Sequence, residues 1–210
     1  MEATGIILAG GKSSRLGRNK AAELIGGIPL IERVINSLKP ITNRILQVTA
    51  QNSDCSPAVA AIEMIEDIYP GRGPLGGIYT GLCSSRTVAN IVVGCDMPFL
   101  NTSLLEHMTK LLSSYDAIVP RWPNGRIEPL HAVYSISCIP MIKRHLDNDQ
   151  LSIGGCLKKM HVLHLNKRGF SNFDPEFLSF FNINTKEDVA FANKVATAQS
   201  LMSPSGHSSG

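Results

Sequence analysis

Four cations fall within nine residues of one another near the start of the chain: Lys12, Arg15, Arg18 and Lys20. They follow a double glycine, Gly10-Gly11, in the stretch Gly10-Gly11-Lys12-Ser13-Ser14-Arg15-Leu16-Gly17-Arg18-Asn19-Lys20. Glycines let the backbone turn sharply and present amide N–H groups to an anion. Arginine adds bidentate contacts to phosphate oxygens, and lysine a mobile point charge. The loop comes directly after an apolar run, Gly5-Ile6-Ile7-Leu8-Ala9, so phosphate binding outweighs a merely solvated basic loop. A second chemical position is Asp96, in Gly94-Cys95-Asp96-Met97-Pro98-Phe99-Leu100, which follows the apolar run Asn90 to Cys95. One carboxylate there can take Mg²⁺ while NTP phosphates and water complete an octahedron. On residue chemistry alone, a turn or cap aspartate is an equal reading of Asp96.

These residues need a scaffold, and the order of elements supplies one. The runs at Gly5–Ala9, Ile45–Ala50, Ile62–Ile65 and Asn90–Cys95 read as buried strands. Between them lie a helix opened by Pro29, with Leu30, Ile31, Val34, Ile35 and Leu38 on one face, one helical turn over Ala58–Ala61, and a helix running to Ser85 after a Gly/Pro loop from Asp67 to Gly77. Asn101 or Thr102 caps the next helix. Asp116–Trp122 and Arg126–Tyr134 flank the turn Pro123-Asn124-Gly125, with Pro120 and Pro129 predicting edge or irregular pairing. Thr185-x-x-Asp188 is a capping box ahead of a last helix. This alternation predicts an α/β fold: one Rossmann-like, mainly parallel sheet flanked by helices, with a small hairpin or mixed edge region. The expected domain spans residues 1–199, with 200–210 a disordered Ser/Gly/Pro tail. Ligands of such sheets bind at the carboxyl ends of the strands, which is where the basic loop and Asp96 fall.

Composition narrows the class. The 210 residues are 43% hydrophobic and 18% charged, enough for one sizeable core without disulfides. A net charge of +3 with scattered Lys and Arg suits small anionic ligands and not nucleic acid. Five cysteines without a C-x-x-C pair predict mostly buried thiols in a reducing compartment and no zinc site. No signal peptide or membrane-length apolar run is present, so the expectation is a cytoplasmic protein with no membrane partner. The histidines form no ligand set; His161 and His164, three apart on an expected strand, point to opposite faces. No Walker A sequence occurs. Gly71-Arg72-Gly73-Pro74-Leu75-Gly76 matches a dinucleotide-binding pattern formally, but Pro74 removes an N–H from the cradle it would need.

The segment Leu8-Ala9-Gly10-Gly11-Lys12-Ser13-Ser14-Arg15-Leu16-Gly17-x-x-Lys20-Ala21 resembles the signature of the molybdopterin-type nucleotidyltransferases, and its double glycine resembles the molybdenum cofactor guanylyltransferases. Leu16 stands where the signature has Met. Cys95-Asp96-Met97-Pro98 matches the same family, and supporting segments follow in order: Asp67 ahead of Gly73-Pro74-Leu75-Gly76-Gly77, then Ile127-Glu128-Pro129-Leu130-His131-Ala132-Val133-Tyr134, then Asn182-Ile183-Asn184-Thr185-Lys186-Glu187-Asp188. The resemblance covers residues 5 to about 196. It implies transfer of GMP from GTP to the phosphate of molybdopterin, with pyrophosphate released and Mg²⁺ as cofactor. It further implies that Leu8, Ala9, Gly10, Gly11, Lys20, Asp67 and Asp96 bind GTP, that Arg15, Lys20 and Asp96 serve catalysis, that Asp96 holds the metal, and that Asn182 and Asn184 touch the pterin. Molybdoenzyme apo-proteins or cofactor chaperones would receive the product. A cytidylyltransferase, another phosphorylated acceptor and a non-catalytic carrier are the alternative readings. Two places depart from the pattern. Thr49-Ala50-Gln51-Asn52 leaves the nucleoside contact open, and Leu151-Ser152-Ile153-Gly154-Gly155 lacks the basic residues that some members place there.

Overall fold

The computed structural model of the chain describes residues 2–9, 22–50 and 62–202. Its elements in chain order are β1 (Ala3–Leu8), β2 (Leu24–Ile25), β3 (Ile28–Pro29), α1 (Leu30–Leu38), β4 (Arg44–Thr49), β5 (Glu63–Glu66), α2 (Gly73–Ser84), β6 (Ala89–Gly94), α3 (Thr102–Lys110), β7 (Ala117–Pro120), β8 (His131–Ser135), α4 (Ile139–Asp147), α5 (Ile153–Leu157), β9 (Val162–Leu165), α6 (Lys167–Ser171) and α7 (Lys186–Met202). Seven strands form the main sheet in the order β5-β4-β1-β6-β8-β7-β9. Only β8 runs against its neighbours; β1 pairs in parallel with β4 and β6, β4 with β5, and β7 with β9. The carboxyl ends of the six parallel strands, and the start of β8, therefore lie along one edge of the sheet.

Strand residues alternate between two cores, as a pleated strand with both faces covered must. Ile7, Ile91, Val93 and Val133 pack with Ile31, Val34, Ile35 and Leu38 of α1 and Leu104, Leu105 and Met108 of α3. Ile6, Leu8, Leu46, Val48, Val92 and Tyr134 pack with Leu75, Ile78 and Leu82 of α2 and Ile142 and Leu146 of α4. A third cluster joins Ile25, Leu30, Phe99 and Ile183 to Ala192 and Ala196 of α7.

The expected helices and strands appear with small shifts. Pro29 precedes the first turn of α1, Asn101 caps α3 by accepting from the Leu104 N–H at 2.9 Å, and the Thr185–Asp188 box closes reciprocally at 3.1 and 2.8 Å. Helix α2 starts at Gly73, inside the stretch expected to be loop, and settles the glycine-rich pattern of residues 71–76. Gly73 and Gly76 belong to this helix, which is pressed against the sheet further along: a Cβ on Gly81 would stand 2.5 Å from Ile6 Cγ2. Of the edge or irregular pairing expected at Pro120, the structure shows the irregular kind: strand β7 is internal, between β8 and β9. Its regular pairing with β8 stops at Ile118 and resumes past Pro120 only as the isolated antiparallel bridge Arg121–Ile127, with the Pro120 carbonyl accepting from Glu128 N–H at 3.0 Å, so the proline sits at an irregularity of the ladder. Helix α7 runs through Met202. Cys138 and Cys156 are buried as anticipated, with burial pushing their thiols up to about 12 and about 11, but Cys83 is exposed. The turn expected at Ala58–Ala61 lies outside the described residues.

Candidate active site

The carboxyl edge of the sheet carries both acidic candidates. Asp67 follows β5 directly and Asp96 lies two residues beyond β6. With β4 and β1 between those strands, their backbones stand about 14 Å apart at ~4.8 Å per strand. One cation cannot bridge carboxylates so separated, so they mark two ends of an elongated site. Strand β1 ends between them, with Ala9 N–H still donating to Val48 O at 2.9 Å and Cys95 N–H to Leu8 O at 3.2 Å. Gly10, Gly11, Arg15 and Lys20, like Gln51 and Asn52, lie outside the described residues. Leu8 is buried in the core facing α2, and Ala9 is half-buried at the strand end.

Asp67 is held by the helix that follows it. Tyr69 N–H donates to Asp67 Oδ1 at 2.9 Å, and Thr80 Oγ1 lies 2.8 Å from the same oxygen. Nothing in sequence spacing marks Thr80 for this; it reaches Asp67 because α2 folds back on the sheet.

Asp96 is positioned by contacts of three kinds. A Cβ built on Gly94 would stand 2.6 Å from Asp96 Oδ1, so the carboxylate rests against a backbone that has no room for a side chain. Met97 and Leu100 are buried among α1 and α3, and Phe99 in the third cluster, which pins the chain just after Asp96. The Asp96 carbonyl accepts from Ile183 N–H at 2.9 Å. That last bond brings the segment bearing Asn182 and Asn184 beside Asp96, although 86 residues separate them in sequence. Asn182 is half-buried with its amide donating to Phe180 O at 2.9 Å, and Asn184 is exposed with its N–H on Asp188 Oδ2 at 2.8 Å. Among the described residues no group of three His, Cys, Asp or Glu could hold a metal. One carboxylate in a glycine-walled cradle suits instead a hard cation that takes most of its ligands from phosphates and water.

His131, at the start of β8, is fully buried at the same edge. Its Nε2 lies 2.6 Å from Ser179 Oγ, which also accepts from Asn101 N–H at 2.8 Å. Asp174 accepts the N–H groups of Leu178 and Ser179 at 3.1 and 2.8 Å. This buried network fixes residues 174–180 and, through them, the segment beside Asp96. The Nδ1 atom of His131 has no partner among the described residues. Burial lowers the imidazole pKa to about 4. Below the ordinary value near 6.5 the unfolded chain therefore binds a proton that the folded chain refuses, and stability falls from there down to about pH 4. Urea titrations should show wild type losing about 2 kcal/mol more than His131→Gln between pH 7 and 5. A difference that does not change with pH would refute a neutral buried imidazole.

Sequence reasoning missed Gly94, Thr80 and the His131–Ser179 clamp. Thr80 and the His131–Ser179 clamp act through contacts between separate segments, for which residue spacing carries no signal, whereas Gly94 lies two residues from Asp96 and the signal available for it was the local Gly-x-Asp spacing. His161 and His164 do diverge: His161 stacks near Tyr115 at 4.7 Å, while His164 points to a groove beside Arg121.

Comparison with known proteins agrees with this geometry. The family model for the MobA-like NTP transferase domain matches residues 5–160. A molybdenum cofactor guanylyltransferase of Desulfosudis oleivorans is 34% identical over 197 residues, covering 93% of this chain and 96% of its own. The crystal structure of molybdopterin-guanine dinucleotide biosynthesis protein A from Archaeoglobus fulgidus superposes with a TM-score of 0.78 at 28% identity, covering 93% of this chain and 99% of that one. The 2-C-methyl-D-erythritol 4-phosphate cytidylyltransferase of Thermus thermophilus shares the fold, with a TM-score of 0.68 at 14% identity over 94% of this chain and all of its own.

Proposed function

This chain belongs to the MobA-like NTP transferase family, and we propose that it transfers GMP from GTP to the phosphate of molybdopterin, releasing pyrophosphate. The observation that carries the reading is the Asp96–Ile183 bond: it sets the carboxylate after β6 beside the Asn182–Asn184 segment at the ligand-binding edge of the sheet. The donor would lie between Asp67 and Asp96 over β4 and β1, and the acceptor on the other side of Asp96. An acceptor phosphate oxygen attacks the α-phosphorus, a new P–O bond forms, and the bond to the bridging oxygen breaks as pyrophosphate departs. That phosphate is already anionic near neutral pH, so no strong general base is needed and positioning dominates. Gly10 and Gly11 would offer backbone N–H groups to the triphosphate, and Arg15 and Lys20 would neutralise its charge. Leu8 and Ala9 would shape the floor beneath the nucleotide. Mg²⁺ held by Asp96 would supply charge stabilisation on the phosphoryl oxygens. Asn182 and Asn184 would meet the acceptor. We place the reaction in the cytoplasm, where its nucleotide donor is found, with apo-molybdoenzymes or cofactor chaperones as recipients of the product.

Pyrophosphate release from GTP, CTP, ATP and UTP, each with Mg²⁺ and purified molybdopterin, tests this. The expected result is release from GTP alone and only with acceptor present. Release from CTP would move the chain to cytidylyl transfer, and release from none would refute nucleotidyl transfer to molybdopterin.

A further inference from the structure

A groove of about 770 Å³ opens at the carboxyl ends of β7 and β9, lined among others by Arg121, Trp122, His164, Asn166, Lys167 and Arg168. Among the described residues no acidic one lines it. It sits on the same edge of the sheet as Asp96, with β8 between β6 and β7, so it begins about 10 Å from the β6 line at ~4.8 Å per strand. On the guanylyl-transfer reading the donor lies in the other direction, toward β1, β4 and β5. An acceptor whose phosphate meets the α-phosphorus near Asp96 therefore extends toward β8, β7 and β9, where this groove opens.

The groove is built into the core and is not a chance dip between surface side chains. Trp122 packs edge-on against Phe170, Phe177 and Phe180 at 5.1, 5.2 and 5.5 Å, and its Nε1–H donates to Glu128 Oε1 at 2.6 Å. Phe180 in turn touches His131 at 4.5 Å, and its carbonyl holds the Asn182 amide. One aromatic wall thus runs from the groove to the segment beside Asp96. Arg121 is anchored through its backbone, its N–H donating to Leu165 O at 2.8 Å, and Lys167 lies over the Phe177 ring at 4.9 Å. The guanidinium of Arg121 contributes to holding His164 below its ordinary pKa, after burial, which places both groups in one electropositive surface.

We propose that this groove binds the pterin–dithiolene end of the acceptor and determines acceptor specificity, a role that rests on the guanylyl-transfer reading above. Arg121, Lys167 and Arg168 face the anionic dithiolene, Asn166 offers an amide to the polar edge of the pterin, and Trp122 forms the apolar wall. These cations take the place of the basic residues missing from Leu151–Gly155.

Trp122 is the single tryptophan of the chain, so its emission reports occupancy of the groove without any turnover. Purified molybdopterin, titrated without GTP and corrected for absorption with free tryptophan, should change Trp122 emission saturably. The double variant Arg121→Gln, Lys167→Gln should weaken that Kd, and the KM for molybdopterin, by about tenfold or more, as expected for losing charged contacts. The KM for GTP should stay within about twofold of wild type, which also shows that the variant is folded. The charge-retaining pair Arg121→Lys, Lys167→Arg should recover most of the loss. No change in Trp122 emission, an unchanged Kd in the glutamine pair, or an equal response to inorganic phosphate would each overturn the assignment. Saturable molybdopterin binding without pyrophosphate release from any NTP would instead leave the groove standing and remove the transfer reaction.

Discussion

Asp96→Ala is expected to lower kcat by on the order of 10³-fold or more at saturating GTP, molybdopterin and Mg²⁺, because it removes the carboxylate proposed to hold charge-neutralising metal against the triphosphate. The effect belongs in kcat, since the interaction is made most strongly as charge shifts to the departing pyrophosphate. Folding should survive. The residue is half-buried at the end of β6, and the loop after it is anchored independently by Met97, Phe99 and Leu100. Thermal unfolding of the variant checks this, and steady-state kinetics across Mg²⁺ concentration checks the role. Unchanged kcat at saturating Mg²⁺ would remove Asp96 from the mechanism.

Gly94→Ala should lower kcat by roughly 10²-fold without touching a reacting group, the scale expected when a catalytic group is displaced by about 1 Å. The new methyl would stand 2.6 Å from Asp96 Oδ1, closer than carbon and oxygen approach without bonding, so the carboxylate must rotate away. Met97 Cγ and Sδ at 3.7 Å leave room for the methyl itself, so the disturbance falls on Asp96 and not on the core. A double-mutant cycle separates this from general damage. In an Asp96→Ala background, Gly94→Ala should cost almost nothing further, because no carboxylate remains to be displaced. Additive losses would show that Gly94 acts through folding alone.

The Gly94–Asp96 contact is local, whereas the acceptor side of Asp96 depends on a segment brought in from residue 183, and this is where the sequence and the tertiary structure divide the work. Runs such as Gly5–Ala9 and Asn90–Cys95 are apolar on both faces, which only a strand covered by helices on both sides satisfies, so the α/β class could be read directly. Local hydrogen bonding likewise determined the Asn101 cap and the Thr185–Asp188 box, since each is closed within four residues. The placement of Asp96 at a strand end also followed from a local pattern, the apolar run ending just before it.

What local pattern could not decide was strand order and the contacts that order creates. Pro120 left edge and irregular pairing equally open; β9 covers β7 on one side, and the proline falls where regular pairing with β8 breaks into an isolated bridge at Arg121–Ile127. Asn182 reaches Asp96 only because Ile183 bonds to the Asp96 carbonyl, and His131 clamps that segment through Ser179, 48 residues away. Arg121, Lys167 and Arg168 read as scattered charges until parallel pairing of β7 with β9 gathers them at one edge. Residue types and short spacings thus determined which elements form and which groups could do chemistry. Long-range backbone pairing, whose partners are chosen by packing over the whole chain, decided which of those groups share a site.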